Sequence, residues 1–234
     1  MALQLGFNDS VKLLDSDDAS IRQVLALTAD KYRQYALDVD VGESDRATYW
    51  RIQFAILSVH SPIDATFEAY KAIRLFRARF GRLPSERVLA NLLLRSRGID
   101  GVVQYAYTKG KYLREFDKAF THNPSAFTRN GSSDIEWRNR IQASVKGLGI
   151  AKASFAVALS APSTSDVCCI DTHIYALFYG HPPRKSVGKR VYLALEEKVR
   201  AYAKEFKLSV FACQWALWDA KRGISNPHSA LSTV

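Results

Sequence analysis

The sequence predicts an all-α fold. Three observations carry that prediction. Apolar residues recur at helical spacing along nearly the whole chain. Glycine, proline and Asn/Asp-rich turns break the pattern at helix-length intervals. No pair of alternating runs flanks a tight two-residue turn, so no convincing β-hairpin signal stands out.

Ile21–Ala36 reads as the first helix, with Leu25, Leu27 and Tyr32 at apolar positions. An acidic turn, Asp38–Asp45, follows around Gly42. Thr48–His60, TYWRIQFAILSVH, is apolar almost all round, the mark of a helix buried on every side. Pro62 follows it, and Asp64 is a candidate cap for Ala65–Phe80, a helix with a basic outer face. Gly81 and Pro84 end that element. Ser85–Arg95 carries Val88, Leu89, Leu92 and Leu93 at helical spacing, and Val102–Phe120 is the next helix after Gly98 and Gly101. Thr121–Asp134, THNPSAFTRNGSSD, is a loop by composition.

Glu136–Val145 is a short basic helix, broken by Gly147-Leu148-Gly149 and resumed as Ala151–Leu159. Ser160–Asp166 turns, and Asp171 opens another helix that Pro182 and Pro183 stop. Val187–Glu205 is long and charged, and Ser209–Arg222 is aromatic-rich and predicted to pack inward. No internal repeat or low-complexity tract is present.

At 234 residues, 47% apolar and 24% charged, the chain can build one large domain or two interlocked lobes. It has no apolar run of membrane-spanning length, and its first residues lack the basic and apolar regions of a secretory signal. Cys168, Cys169 and Cys213 are odd in number and lack CxxC spacing, which argues against a disulfide framework or a structural zinc site. A reducing, intracellular compartment is expected. The net charge is +10 and uneven: residues 1–48 hold nine acids and five bases, −4, so the remainder carries +14. A basic body of this kind suits a nucleic-acid binder, although a soluble protein of high pI has the same signature.

Two stretches carry chemistry. The first is VKGLGIAKASFAVAL, a tight helical hairpin. Glycine there accepts positive φ and admits close approach of another molecule. The free N–H groups opening the second helix form a phosphate seat, to which Lys146 and Lys152 add charge. An ordinary αα-turn with glycine past the helix end reads the same way. The second stretch is VCCIDTHIYALF. Its Asp171 is either a helix cap or an acid placed at a reaction centre.

Taken together, the run VKGLGIAKASFAVAL…VCCIDTHIYAL resembles the helix-hairpin-helix DNA glycosylase superfamily, the endonuclease III, MutY and AlkA group. In that family a hairpin with two glycines precedes, by about twenty residues, an aspartate in a stretch like VDTHI. Here Gly149 and Asp171 lie 22 positions apart. The resemblance extends from about Thr48 to Gly223, through YWRIQFAILSVHSPIDATFEAYKAI, AYTKGKYLREF and VFACQWALWDAKRG. Three departures stand out. Lys146 replaces the usual proline before the hairpin, the four-cysteine iron–sulfur motif is absent, and the family's nucleophilic-lysine position falls ungapped on Ala151, with Lys152 one residue later.

The resemblance implies two helical lobes with a DNA cleft between them. Residues 49–149 would carry the hairpin, and 1–48 with 150–234 would carry the aspartate. It implies a DNA glycosylase that flips a modified base out of the duplex and cleaves its N-glycosidic bond. Asp171 would stabilise the oxocarbenium-like state, and Lys152 would attack C1′ as an amine, giving Schiff-base lyase activity, or else hold a phosphate. Lys146, Gly147, Leu148, Gly149, Ile150, Lys109, Lys111 and His173 would contact DNA. His60 would fill the gap left by the flipped base. Gln214, Trp215, Trp218 and Asp219, and more weakly Trp50 and Gln53, would line the base pocket, though aromatic core packing is the better explanation of any one of them. The two adjacent cysteines would pack as small hydrophobes beside Asp171.

No iron–sulfur cluster or catalytic metal is expected, while the hairpin carbonyls could hold a monovalent cation. The expected partner is double-stranded DNA containing a modified base, met by a monomer away from membranes and acting in the nucleoid, cytoplasm or nucleus. A non-catalytic DNA-binding module, or a relative that processes a hypermodified base, are the alternatives.

Overall fold

The computed structural model describes residues 17–224. Ten α-helices follow one another there: α1 (Asp18–Asp38), α2 (Asp45–Leu57), α3 (Ile63–Phe80), α4 (Glu86–Arg95), α5 (Ala106–His122), α6 (Asp134–Ser144), α7 (Ile150–Ser160), α8 (Thr172–Tyr179), α9 (Lys189–Glu205) and α10 (Val210–Arg222). Every helix expected from sequence forms, with ends shifted by a few residues. Side-chain caps set several starts: Ser44 on α2, Ser85 on α4, a reciprocal Ser133–Glu136 box on α6 and Ser209 on α10.

Two local features depart from expectation. Arg97–Gly98 (β1) and Gly101–Val102 (β2) pair as a minimal antiparallel hairpin between α4 and α5. Asp64 does not cap α3, because Pro62 holds the cap position without a side-chain bond. The Asp64 carboxylate instead accepts the Ile99 and Asp100 N–H groups of the hairpin turn, as well as that of Ala65. A Cβ on Gly98 would overlap that carboxylate, so glycine is required where the turn closes on it.

The chain forms two compact units. Val41–Ser160 is one; 17–40 together with 161–224 make the other among the described residues. The boundaries expected at 48/49 and 149/150 therefore fall at 40/41 and 160/161. The reason is that α2 and α7 pack directly on each other. Buried Arg51 ties them, donating to the Gly42 carbonyl at 3.2 Å and to the Ser160 carbonyl at the α7 C-terminus at 3.0 Å.

In the first unit α2 is the centre, buried from Thr48 through Leu57. Its rings meet those of α3, α5 and α7: Phe54 against Phe67, Tyr70 and Phe155, and Tyr49 against Phe116 and Phe120. In the second unit α1 packs on α10, which also meets α8 and α9. No described helix is long and apolar enough to cross a membrane.

Candidate functional site

The hairpin is built by α6, the turn Val145–Gly149 and α7. The two glycines differ in purpose. Gly147 lies at φ 84, and a Cβ there would overlap the Tyr112 ring. Gly149 has no positive φ, and a Cβ would meet nothing. Its value is the open space it leaves at the start of α7, where free N–H groups gather. Leu148 is buried and anchors the turn, its N–H donating to the Val145 carbonyl at 3.3 Å. Gly147→Ala is expected to lose about 1–3 kcal/mol of stability, from left-handed strain and overlap with Tyr112. Gly149→Ala is expected to melt with the native protein yet bind duplex DNA more weakly. Thermal unfolding and a binding titration on the two variants check both.

Lys146 is exposed and pairs with Glu115 at 3.3 Å, a weak surface contact that leaves the amine reachable. Lys111 is exposed on α5. Ile150 and Lys152 are half-buried in the first turn of α7. The Lys152 ammonium lies 5.1 Å from the Phe155 ring centroid, one turn on.

Lys109 does not face solvent, which corrects its expected role as a phosphate contact. It is 3% exposed, and its Nζ donates to the Leu57 carbonyl at 2.7 Å and to Ser61 Oγ at 2.6 Å. Burial first, and then the charge of Lys152, push its pKa down to about 7. Ser61 Oγ also accepts the Gln104 N–H at 3.0 Å, so Lys109 ties the loop after α2 to the loop before α5.

Those loops present two exposed rings. His60 and Tyr105 both have left-handed backbones, φ 50 and φ 56, and their rings meet edge-on at 5.9 Å. Holding two non-glycine residues there costs about 1–2 kcal/mol each. The sequence reading missed Tyr105, which no spacing rule distinguishes from Tyr107.

In the second unit Asp171 is the N-cap of α8. Its Oδ1 accepts the N–H groups of His173 and Ile174, both at 2.9 Å. Its Oδ2 accepts the Trp218 indole N–H at 2.9 Å. His173 keeps an exposed ring, edge-on to Trp218. Cys168 and Cys169 are buried just before, with burial pushing the Cys168 thiol pKa up, as expected of packed hydrophobes.

The candidate base-pocket residues separate. On α10 Gln214 and Trp218 turn toward the Asp171 segment: Gln214 Oε1 accepts the Cys169 N–H at 2.7 Å. Trp215 is buried among Tyr35, Phe211 and Trp218 and serves the core. Asp219 is wholly buried and faces α1, accepting the Tyr32 hydroxyl at 2.6 Å. Burial lifts its pKa to about 6, against the Tyr32 bond and the Arg222 and Lys31 charges. Its expected place in a base pocket is therefore corrected to a core carboxylate.

Trp50 and Gln53 belong to the other unit. Trp50 packs on Tyr49 and Tyr70 under Arg74 and Arg77. Gln53 is fully buried on α2, and neither amide atom has a hydrogen-bond partner among the described residues. Both are core residues rather than pocket lining.

Glu196 and Tyr192 also went unread. Both lie on the buried face of α9 and hold the extended segment before Asp171. A lone carboxylate on an otherwise apolar helix face, Tyr192-Leu195-Glu196-Val199, was the available signal.

A family model for 8-oxoguanine DNA glycosylase matches residues 30–208, spanning the hairpin and Asp171. No curated protein sequence matches significantly. Among solved structures, 8-oxoguanine DNA glycosylase of Methanocaldococcus jannaschii superposes with TM-score 0.69 at 19% identity, covering 87% of this chain and 94% of that one. The 8-oxoguanine DNA glycosylase of Thermotoga maritima gives TM-score 0.69 at 18% identity, over 89% and 97%. The Methanocaldococcus jannaschii 8-oxoguanine glycosylase/lyase in complex with DNA containing 8-oxoguanine gives 0.65 at 16% identity, over 87% and 97%. These likenesses are of fold.

Proposed function

We propose, on the premise that this chain belongs to the 8-oxoguanine DNA glycosylase family, that the base it releases is 8-oxoguanine in duplex DNA. Family membership makes the protein a DNA glycosylase, an enzyme that acts on DNA and breaks an N-glycosidic bond. The observation that carries the substrate reading is the family match itself, which runs unbroken through both chemical stretches, 145–160 and 167–178.

The residues have separable roles in this reading. Asp171 is a carboxylate held by three N–H donors, suited to stabilising positive charge that develops on the deoxyribose. Lys152 supplies the amine: its nitrogen lone pair attacks C1′, and the base leaves with the bonding electrons and takes up a proton. The secondary amine then opens the sugar to a Schiff base, from which β-elimination breaks the 3′ phosphate ester. The hairpin N–H groups, Lys146 and Lys111 hold phosphates. His60, with Tyr105 beside it, is the residue offered to the gap in the base stack. Val145 and Gly149 commit their carbonyls to Leu148 and Ala153, so a monovalent cation at the turn would draw on the Lys146, Gly147 and Leu148 carbonyls.

The test is a set of duplexes carrying 8-oxoguanine, uracil, thymine glycol, an alkylated purine or a bare abasic site, each assayed with and without alkali. Release of 8-oxoguanine, with strand scission at the abasic site before alkali, is expected. Release of another lesion and none of 8-oxoguanine would overturn the substrate, and scission only after alkali would overturn the amine.

A further inference from the structure

This inference rests on the reading of Asp171 as the acid of the reaction. The segment Val167–Ile170 is buried and has no strand beside it. Side chains from two helices take its backbone polar groups instead. Glu196 Oε1 accepts the Cys168 N–H at 3.0 Å. The Tyr192 hydroxyl donates to the Cys168 carbonyl and accepts the Ile170 N–H at 3.5 Å. Gln214 Oε1 accepts the Cys169 N–H. Arg200 in turn holds the other Glu196 oxygen at 3.2 Å. One residue on, Trp218 donates to Asp171 Oδ2, four positions after Gln214 and so on the same face of α10.

The Trp218 ring is itself fixed. Trp215 lies edge-on at 5.0 Å, His173 edge-on at 5.8 Å, and the Arg222 guanidinium stacks at 4.4 Å from the ring. A carboxylate held only at Oδ1 by a helix start could pivot about that oxygen. The indole N–H removes that freedom, because the second oxygen is pinned by a ring that cannot turn.

We propose that Trp218 is the positioning residue of Asp171, its indole N–H aiming the carboxylate, with Gln214 fixing the segment that delivers it. The indole N–H is a charge-assisted donor to the carboxylate, so removing it leaves the second oxygen unheld.

Two measurements test the proposal, and the first needs no activity. The Trp218 indole resonance of the free protein is expected to shift in Asp171→Asn. An indole signal blind to that change sinks the proposal, whatever the enzyme does to DNA. The second is Trp218→Phe, which keeps a ring and deletes the N–H. Single-turnover base release should fall about tenfold, the worth of one hydrogen bond to a charged group, while affinity for an uncleavable duplex should not change. Weaker duplex binding with an unchanged single-turnover rate would make Trp218 a stacking platform and overturn it. A protein that releases no base, but whose indole resonance shifts in Asp171→Asn, overturns the glycosylase reading and leaves the positioning contact standing.

Discussion

Asp171→Asn is expected to fold and to lose base release by about 10²- to 10³-fold, the scale seen when one preorganised electrostatic group is removed from a reaction centre. The fold survives because asparagine is as good an N-cap as aspartate, and its oxygen can still accept the His173 and Ile174 N–H groups. What changes is the second position. An amide NH₂ would there confront the Trp218 N–H, two donors at the present 2.9 Å, at a cost of about 1–3 kcal/mol. A modest drop in melting temperature beside a large drop in single-turnover rate is thus the expected pattern. A variant with the native rate would remove Asp171 from the mechanism. Asp171→Ala separates the parts differently, since it also gives up the cap, worth about 1 kcal/mol.

Lys152→Ala is expected to abolish the covalent adduct that borohydride traps between enzyme and 8-oxoguanine DNA. In the native protein, peptide mapping of that adduct should find Lys152. The structure makes the experiment sharper than the sequence does, because a second amine competes for the role. The pKa of Lys109 is pushed down to about 7, by burial first and then by the charge of Lys152, so this amine gives up its proton more readily than an ordinary lysine. Yet it is buried and gives its N–H groups to Leu57 and Ser61. An adduct that persists in Lys152→Ala and maps to Lys109 would transfer the nucleophile to the buried amine. An active native enzyme that traps no adduct would leave water as the nucleophile.

The lysine question shows where sequence reasoning ran short. Counting from Gly149 puts the family position on Ala151, and the count cannot say which side chain of the first α7 turn is usable. The structure places Lys152 half-buried beside Phe155 and within the field of Lys109. Lys109 itself was read as a surface cation because it sits in a basic run, TKGK. Its burial depends on Leu57 and Ser61, which come from a different helix and loop and lie 52 and 48 positions away. The base-pocket candidates separated for a related reason. Trp218 and Asp219 are neighbours in sequence, but adjacent helical positions point about 100° apart. One therefore reaches Asp171 and the other reaches Tyr32 on α1.

By itself the sequence determined the helices, the glycine turn and the capping acid at the head of α8. Each of these depends on residues within a turn or two of one another, where spacing and side-chain type decide the outcome. The family resemblance was legible for the same reason, since the hairpin and aspartate lie in one short window of chain. Tertiary structure alone decided which polar side chains are buried and what they hold: Lys109 under the His60 loop, Gln53 in the α2 core, Asp219 against Tyr32, and Glu196, Gln214 and Trp218 around the Asp171 segment. Burial and hydrogen-bond partners are set by segments tens to nearly two hundred residues apart. Local periodicity marks the face a residue occupies but not the partner packed against it.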